Sequence, residues 1–191
     1  FYAPAQIVRD AREHGVEVRP ADINASGWDC SLEPAADGAL ALRLGLRQIG
    51  GLARADADRL VAARGGGYAD AEDLARRADL GGPVLRRLAD ADAFGSLRLD
   101  RRDAAWEARR LPAGGALPLF AAAAAGELAA EPPSRLPALT EGERIAIDYQ
   151  TVRLSLRGHP MAILRGMFDA EGVASCAGAA ALPDGARARV A

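Results

Sequence analysis

The segment Gln48–Val61 reads QIGGLARADADRLV and decides the fold that we expect for this chain. An apolar residue, a glycine-rich turn and a following helix form the pattern of a helix-hairpin-helix unit. Glycine lets the backbone of such a turn approach a ligand closely, and the N–H groups that begin a helix lack intrahelical acceptors and carry the positive end of its dipole. Such a corner binds phosphates of a DNA backbone and reads no bases. An ordinary packing corner between two helices fits the same pattern.

A second copy of the pattern follows at Leu80–Leu88, which reads LGGPVLRRL. Two hairpins are more informative than one, because a pair can straddle a duplex and contact both strands. Arg86 and Arg87 of the second copy are either phosphate contacts or a solvated helix face. In the first copy, Asp56 and Asp58 partly cancel the charge of the arginines. The candidate DNA contacts all lie in these two corners or on the helices that follow them: Gly50, Gly51, Leu52, Ala53, Arg54, Arg59, Gly81, Gly82, Arg86 and Arg87.

The composition indicates a globular chain without a broad basic surface. Of the 191 residues, 50% are hydrophobic and 26% are charged, which is the balance of a folded protein. All 24 basic residues are arginine, for which the codon bias of a GC-rich genome is the simple explanation. The planar guanidinium group of arginine nevertheless binds phosphate through two parallel hydrogen bonds. Since the net charge is −2, we expect any DNA contacts to be confined to small areas.

Membrane insertion, metal chemistry and catalysis have no candidate residues in the sequence. No apolar run approaches the ~18 residues that a membrane span requires. The cysteines Cys30 and Cys176 and the histidines His14 and His159 match no metal-ligand spacing. The paired carboxylates have structural explanations: Asp90 and Asp92 lie near the end of a helix, Glu141 and Glu143 are capping residues, and the acids of 70–73 lie in a first helical turn, where the helix dipole stabilises negative charge. We therefore expect no active site, metal or cofactor in this chain, no membrane partner, and a cytoplasmic location.

Around the hairpins the sequence predicts a mainly α-helical chain with a small antiparallel β element. Helices are expected over residues 4–14, 55–64, 70–78, 83–91, 100–110 and 140–156. Asp70, Asp100 and Thr140 occupy the N-cap positions of three of them, and Thr140 with Glu143 matches a capping box. Alternating residues at 16–18, 28–32 and 39–46 predict three short strands, the last with its four leucines on one face. Trp106 is expected to anchor its helix in the core.

Residues 112–139 are rich in proline, glycine and alanine and are expected to form a linker. The linker contains an apolar pentad, Ala116–Phe120, whose exposure in a flexible segment costs hydration unless a partner buries it. Short motifs that end in Leu-Phe dock in hydrophobic pockets. The candidate residues for such a partner are Leu117, Pro118, Leu119 and Phe120. Packing of the pentad on the chain's own domain is the alternative.

Five motifs follow one another along the chain: Phe1–Val8 (FYAPAQIV), Arg19–Asn24 (RPADIN), Leu44–Leu52 (LGLRQIGGL), Ala91–Leu97 (ADAFGSL) and Leu156–Pro160 (LRGHP). In this order they resemble bacterial C-family replicative DNA polymerases and, among these, the error-prone, damage-inducible paralogue of the alpha subunit. The likeness covers essentially the whole chain. The ordered set of motifs is far more specific than any one of them.

By this resemblance the chain is a C-terminal fragment of such a polymerase, with five parts. They are the end of the fingers domain (1–45), a tandem helix-hairpin-helix DNA-binding domain (46–111), the linker (112–139), a helical connector (140–185) and the first strand of a truncated OB-fold (186–191). The family's metal-binding aspartates lie in the palm domain, before Phe1. The resemblance thus implies a chain that positions duplex DNA non-specifically, and a parent enzyme that uses Mg²⁺ for error-prone translesion synthesis in DNA repair.

The sequence departs from the family pattern at two positions. Ala53 replaces a glycine of the first hairpin, so that a phosphate would approach less closely there. Ala116 replaces the glutamine that leads the sliding-clamp motif, which predicts weak clamp binding or none. A translesion accessory protein would then provide access to the clamp. The alternatives are the replicative alpha subunit, a stand-alone helix-hairpin-helix repair module without enzymatic activity, and a scaffold whose hairpins only pack.

Overall fold

Short helices joined by tight turns make up most of the computed structural model, which describes residues 2–36, 38–111 and 137–191. The helices are α1 (Pro4–Glu13), α2 (Arg54–Ala63), α3 (Ala71–Ala78), α4 (Gly82–Asp90), α5 (Arg101–Arg110), α6 (Glu141–Thr151), α7 (Pro160–Ala170) and α8 (Cys176–Ala180). The strands are β1 (Val18–Arg19), β2 (Ser31–Pro34), β3 (Leu40–Arg43), β4 (Val173–Ala174) and β5 (Arg189–Val190). The expected fold class is confirmed. The pentad Ala116–Phe120 lies outside the described residues.

Side chains at the predicted N-caps begin three of the helices. The Asp70 carboxylate accepts a hydrogen bond from the Asp73 N–H at 2.7 Å. The Asp100 carboxylate accepts from two first-turn N–H groups of α5, at 2.8 and 2.9 Å. Thr140 and Glu143 form the reciprocal capping box, in which the Thr140 N–H donates to the Glu143 carboxylate at 2.8 Å. Each cap satisfies N–H groups that the helix itself leaves unpaired, so the predicted helix starts are confirmed.

The small sheet is mixed, whereas the sequence predicted an antiparallel one. Strands β2 and β3 form the expected antiparallel hairpin, but β1 adds to the other edge of β3 in the parallel direction, with Val18 opposite Leu42. The expected leucine face is also different, because β3 ends at Arg43 and the alternation does not continue. Within β3, Ala41 is fully buried and Leu40 is 56% exposed.

The core lies between the hairpin helices and the loop that joins β1 to β2. Its largest fully buried hydrophobic side chains are Phe94, Ile23, Leu46, Leu60, Leu74, Leu85 and Leu88. Helix α5 packs on α4 through Ala104 and Ala108, which share a face because they are one helical turn apart. Trp106 is on another face of α5 and is 42% exposed, so the prediction that it anchors the core was wrong. Small side chains make this contact, since they allow α4 and α5 to approach closely.

Helix α6 is fastened to the hairpins by a buried ion pair. Arg101 of α5 donates to the Asp148 carboxylate at 2.5 Å and to the Arg144 carbonyl oxygen at 3.1 Å. Both members of the pair are at most 10% exposed. Ser155 Oγ donates to the second oxygen of Asp148 at 2.7 Å, so that both carboxylate oxygens are bonded. The helix stops at Thr151, before the predicted end near Leu156, and Arg153 follows with φ of +60°.

The strand predicted in residues 186–191 is present as β5, which pairs with β4 in the parallel direction. Its assignment to an OB-fold stays a prediction, as do the other domain assignments. In the described ranges, we find no helix that is both long and apolar enough to cross a bilayer.

Candidate nucleic-acid interface

The first corner joins a short 3₁₀ helix, Leu46–Gln48, to α2 through the Gly50-Gly51 turn. Ile49 and Leu52 on either side of the turn are only 2% and 7% exposed and hold it in the core. The two glycines between them are exposed. Gly51 has φ of +75°, a conformation that costs any residue with a Cβ about 1–2 kcal/mol. The buried side chains of Ile49 and Leu52 therefore place the Gly50-Gly51 turn at the protein surface.

Two residues predicted as contacts in this corner use their N–H groups inside the protein. The Gly50 N–H donates to the Thr151 carbonyl oxygen of α6 at 2.7 Å, and the Leu52 N–H donates to the Ile49 carbonyl oxygen at 3.2 Å. Gly50 is needed for this contact, because a Cβ there would lie 3.0 Å from the Thr151 oxygen. Gly50 and Leu52 thus shape the corner without offering a free donor.

Other N–H groups of the first corner remain available. Within the described residues, no acceptor bonds the N–H groups of Gly51, Ala53, Arg54 or Ala55. All four residues are exposed. Ala53 is the N-cap of α2 and has no side chain that could accept, in contrast to α3, α5, α6, α7 and α8, each of which begins with a capping side chain. Unsatisfied donors at a helix start are suited to bind an anion.

The second corner repeats this arrangement at the start of α4. Leu80 is 6% exposed and Leu85 is fully buried, and together they anchor the turn. Gly81 is the N-cap of α4 and has no side chain to accept a hydrogen bond. The N–H groups of Gly81 and Gly82 bond no acceptor in the part of the chain that the structure describes, and Pro83 has no N–H. The second corner therefore also presents free backbone donors.

The second hairpin contacts the first corner through Arg87 of α4, because a Cβ built on Gly51 would be 3.1 Å from Arg87 Nε and 3.7 Å from its Cδ. A guanidinium of the second hairpin therefore lies beside free N–H groups of the first. We call the exposed donors and arginines of the two hairpins the corner surface: Gly51, Ala53, Arg54, Ala55, Gly81, Gly82, Arg86 and Arg87.

Positive charge on the corner surface is concentrated in the second hairpin. Arg54 lies 3.7 Å from the carboxylate of Asp58, and Arg59 lies 2.8 Å from that of Asp56. Arg86 and Arg87 are exposed and form no ion pair with another described residue. Their charges are therefore available to a ligand, and those of the first hairpin are partly neutralised.

The turn between α2 and α3 is fixed by Arg77, which holds the first hairpin helix in place. Its guanidinium donates to the carbonyl oxygens of Gly67 and Arg64 at 2.8 and 2.7 Å and lies 4.8 Å from the centroid of the Tyr68 ring. Tyr68 Oη donates to the Leu60 carbonyl oxygen of α2 at 2.6 Å. Burial raises the pKa of the Tyr68 phenol, which keeps its proton on this hydrogen bond.

Sequence reasoning found both corners but missed two participants. Ala55 was not among the predicted contacts, although its place in the first turn of α2 was the available signal. The partner of Gly50, Thr151, lies in α6 and carries no local signal. In the described parts of the chain, no group of three or more His, Cys, Asp or Glu side chains could hold a metal ion.

Comparisons with known proteins agree with this geometry. A family model described as "Helix-hairpin-helix motif" matches residues 15–104. The chain is 54% identical over 191 residues to a protein of Brucella abortus biovar 1 (strain 9-941) named "Error-prone DNA polymerase", a match that covers 100% of this chain and 18% of that relative. A protein of the same name from Ruegeria pomeroyi is 54% identical over 165 residues, which is 86% of this chain and 15% of the relative. These homologues confirm the resemblance given by the ordered motifs.

Proposed function

Because the chain is homologous over its whole length to the error-prone DNA polymerases, we propose that it holds duplex DNA by the phosphate backbone for a polymerase of that class. The corner surface would bind phosphates through backbone N–H groups and through Arg86 and Arg87. Such contacts fix the position of a duplex without reading its sequence. A polymerase that must hold any template needs this kind of contact.

One observation carries the proposal: α2 and α4 begin at exposed turns without a capping side chain, and their first N–H groups are unpaired within the described residues. Exposed helix starts are normally capped, since a cap contributes about 1 kcal/mol. Leaving both hairpin helices uncapped keeps these donors free for an anion. The guanidinium of Arg87 beside Gly51 supports a phosphate contact that uses donors of both hairpins.

Catalytic activity is proposed for the whole enzyme and not for this chain alone. The chain spans 18% of the length of the Brucella relative, and we assign DNA-directed DNA polymerisation to the remainder. The described residues contain no cluster of side chains that fits the Mg²⁺ expected for nucleotidyl transfer, so no step of that reaction is placed on them. The names of the relatives support the error-prone class over the replicative alpha subunit. We propose synthesis across damaged template as the task of that enzyme.

The linker provides the proposed contact with a second protein. The pentad Ala116–Phe120 stands where replicative members carry a clamp-binding motif, but it has alanine in place of the leading glutamine. We therefore assign to it weak binding of the sliding clamp at most, with a translesion accessory protein as the main partner. Because the pentad lies outside the described residues, this part of the proposal rests on the sequence alone.

Salt-dependent DNA binding tests the proposed function. Fluorescence anisotropy with labelled duplexes of unrelated sequences would measure affinity at several salt concentrations for the wild-type chain and for R86A/R87A. We expect weaker binding to every duplex and a log–log salt slope reduced by about two, since each lost phosphate contact removes about one unit. The matched control, R9A/R12A, removes two exposed arginines of α1. Coinciding curves for R86A/R87A and the control would reject the proposal.

A further inference from the structure

A cavity of about 310 Å³ lies between the end of α4, the start of α5 and helix α6, at the opposite end of α4 from the second corner. Its volume is within the range of about 300–1,000 Å³ that small-ligand sites occupy. The charged residues that line it are Asp92, Arg98, Asp100, Arg101, Arg144 and Arg157. Four arginines and two aspartates give this cavity a positive excess, although the chain as a whole has a net charge of −2.

Two of the arginines have no carboxylate partner in residues 2–36, 38–111 and 137–191. Arg157 lies 2.6 Å from the carboxylate of Asp92, and Arg101 is paired with Asp148. In the described residues, Arg98 and Arg144 form no ion pair, and the Arg144 Nε donates to the Leu139 carbonyl oxygen at 3.2 Å. The other lining acid, Asp100, uses its carboxylate to cap α5. The positive charges of Arg98 and Arg144 are therefore not neutralised by any carboxylate of the described residues.

Arg101, which is one of the residues that line the cavity, also has an unsatisfied donor. Arg101 is 6% exposed, and its buried Nε–H has no acceptor within the described residues. A buried donor without a partner costs about 1–3 kcal/mol, and more for a charged group, so such groups are rare in folded proteins. The guanidinium of Arg101 is held in place at the cavity, because its Nη1 donates to the Arg144 carbonyl oxygen and its Nη2 donates to the Asp148 carboxylate.

We propose that this arginine-lined cavity binds a phosphate group. Several guanidinium forks around one small cavity fit a tetrahedral oxyanion, to which arginine donates two parallel hydrogen bonds. The cavity is separate from the Gly81-Gly82 turn, because it lies at the other end of α4, which has nine residues and is therefore about 13.5 Å long. The phosphate is either a free phosphate or a backbone phosphate of nucleic acid, and the proposal does not depend on DNA binding at the corners.

Isothermal titration calorimetry with inorganic phosphate tests the proposal on the 191-residue chain. The variant R98Q/R144Q removes the two unneutralised charges and leaves the ion pair of Arg101 with Asp148 in place. The control R9Q/R12Q removes the same charge from α1. We expect the cavity variant to bind phosphate at least about tenfold more weakly than the control, since each lost charged hydrogen bond costs that much or more. Circular dichroism melting would show that both variants remain folded.

Duplex binding by the same variants identifies the source of the phosphate. Weaker duplex binding by R98Q/R144Q than by R9Q/R12Q, with competition by inorganic phosphate, assigns the cavity to a backbone phosphate. Loss of phosphate affinity with unchanged duplex affinity assigns it to a free phosphate. Equal phosphate affinity and equal duplex affinity in the two variants would overturn the proposal. Because the calorimetric measurement contains no DNA, failure of the corner surface to bind a duplex would not affect it.

Discussion

Arg87 lies against Gly51, with 3.1 Å between the Arg87 Nε and the position that a Cβ on Gly51 would take. A side chain of the second hairpin thus covers part of the turn of the first. The two hairpins are consequently in contact through Arg87, and a substitution at Gly51 or Arg87 is expected to affect a ligand of the first corner.

Substituting Gly51 tests this relationship. In G51A the new Cβ meets Arg87, and the backbone is strained because φ is +75°. We expect a loss of about 1–2 kcal/mol in the free energy of unfolding, together with weaker duplex binding. G66A is the matched control, since Gly66 has open space around it. Denaturation with urea and anisotropy with duplex DNA measure the two effects, and equal results for G51A and G66A would contradict the prediction.

A capping side chain at the start of α2 is expected to raise the stability of the chain and to lower its affinity for duplex DNA. In A53D a carboxylate takes the N-cap position and accepts from the free first-turn N–H groups. We expect the chain to become more stable by about 0.5–2 kcal/mol while duplex affinity falls, because the donors are used and a negative charge faces the phosphates. The control A3D adds the same charge at α1, where the Ala3 N–H is already bonded by the Gln6 side chain at 3.1 Å. If A53D bound DNA as tightly as A3D, the free donors of α2 would have no part in binding.

The buried ion pair is expected to matter for stability. D148N leaves the Arg101 guanidinium, which is 6% exposed, without its charged partner, and we expect a loss of about 3–5 kcal/mol. The double variant R101M/D148L removes both charges and should recover most of that loss. D58N, which breaks an exposed pair with 3.7 Å between its atoms, should cost no more than about 1 kcal/mol. Urea denaturation of the three variants measures these differences, and a loss in D148N no larger than that in D58N would contradict the prediction.

Acid stability depends in part on Asp73. The hydrogen bond from Arg77, 2.8 Å long, lowers the pKa of the Asp73 carboxyl below its ordinary value of 3.8. A lowered pKa contributes stability that is present above the unfolded value and is lost as the pH falls through the folded value. We expect the free energy of unfolding of D73N to fall less steeply than that of the wild-type chain below about pH 4. Urea denaturation across this range, with D58N as the control, checks the sign; parallel curves for D73N and the wild-type chain would contradict it.

Local sequence signals predicted the parts of this fold that neighbouring residues determine. The glycine turns, the caps at Asp70, Asp100 and Thr140, and the uncapped start at Gly81 follow from a few adjacent residues. Each of these features depends on backbone geometry or on hydrogen bonds within one helical turn, so the residues next to it in the sequence are enough to predict it.

Contacts between distant segments could not be predicted in this way. The bond between Gly50 and Thr151, the parallel pairing of β1 with β3 and the ion pair of Arg101 with Asp148 join residues far apart in the chain. Periodicity places residues on a face but does not say which element covers that face. For the same reason Trp106 was assigned to the core, although alanines provide the contact of α5.

The hydrogen bond from the Gly50 N–H to the Thr151 carbonyl oxygen connects the first corner to the end of α6. If α6 moves, the Gly50-Gly51 turn must either move with it or lose this hydrogen bond. Breaking it would free the Gly50 N–H as one further donor at the proposed DNA-binding surface. If the first corner binds DNA as proposed, its affinity for the duplex is therefore expected to depend on the position of α6.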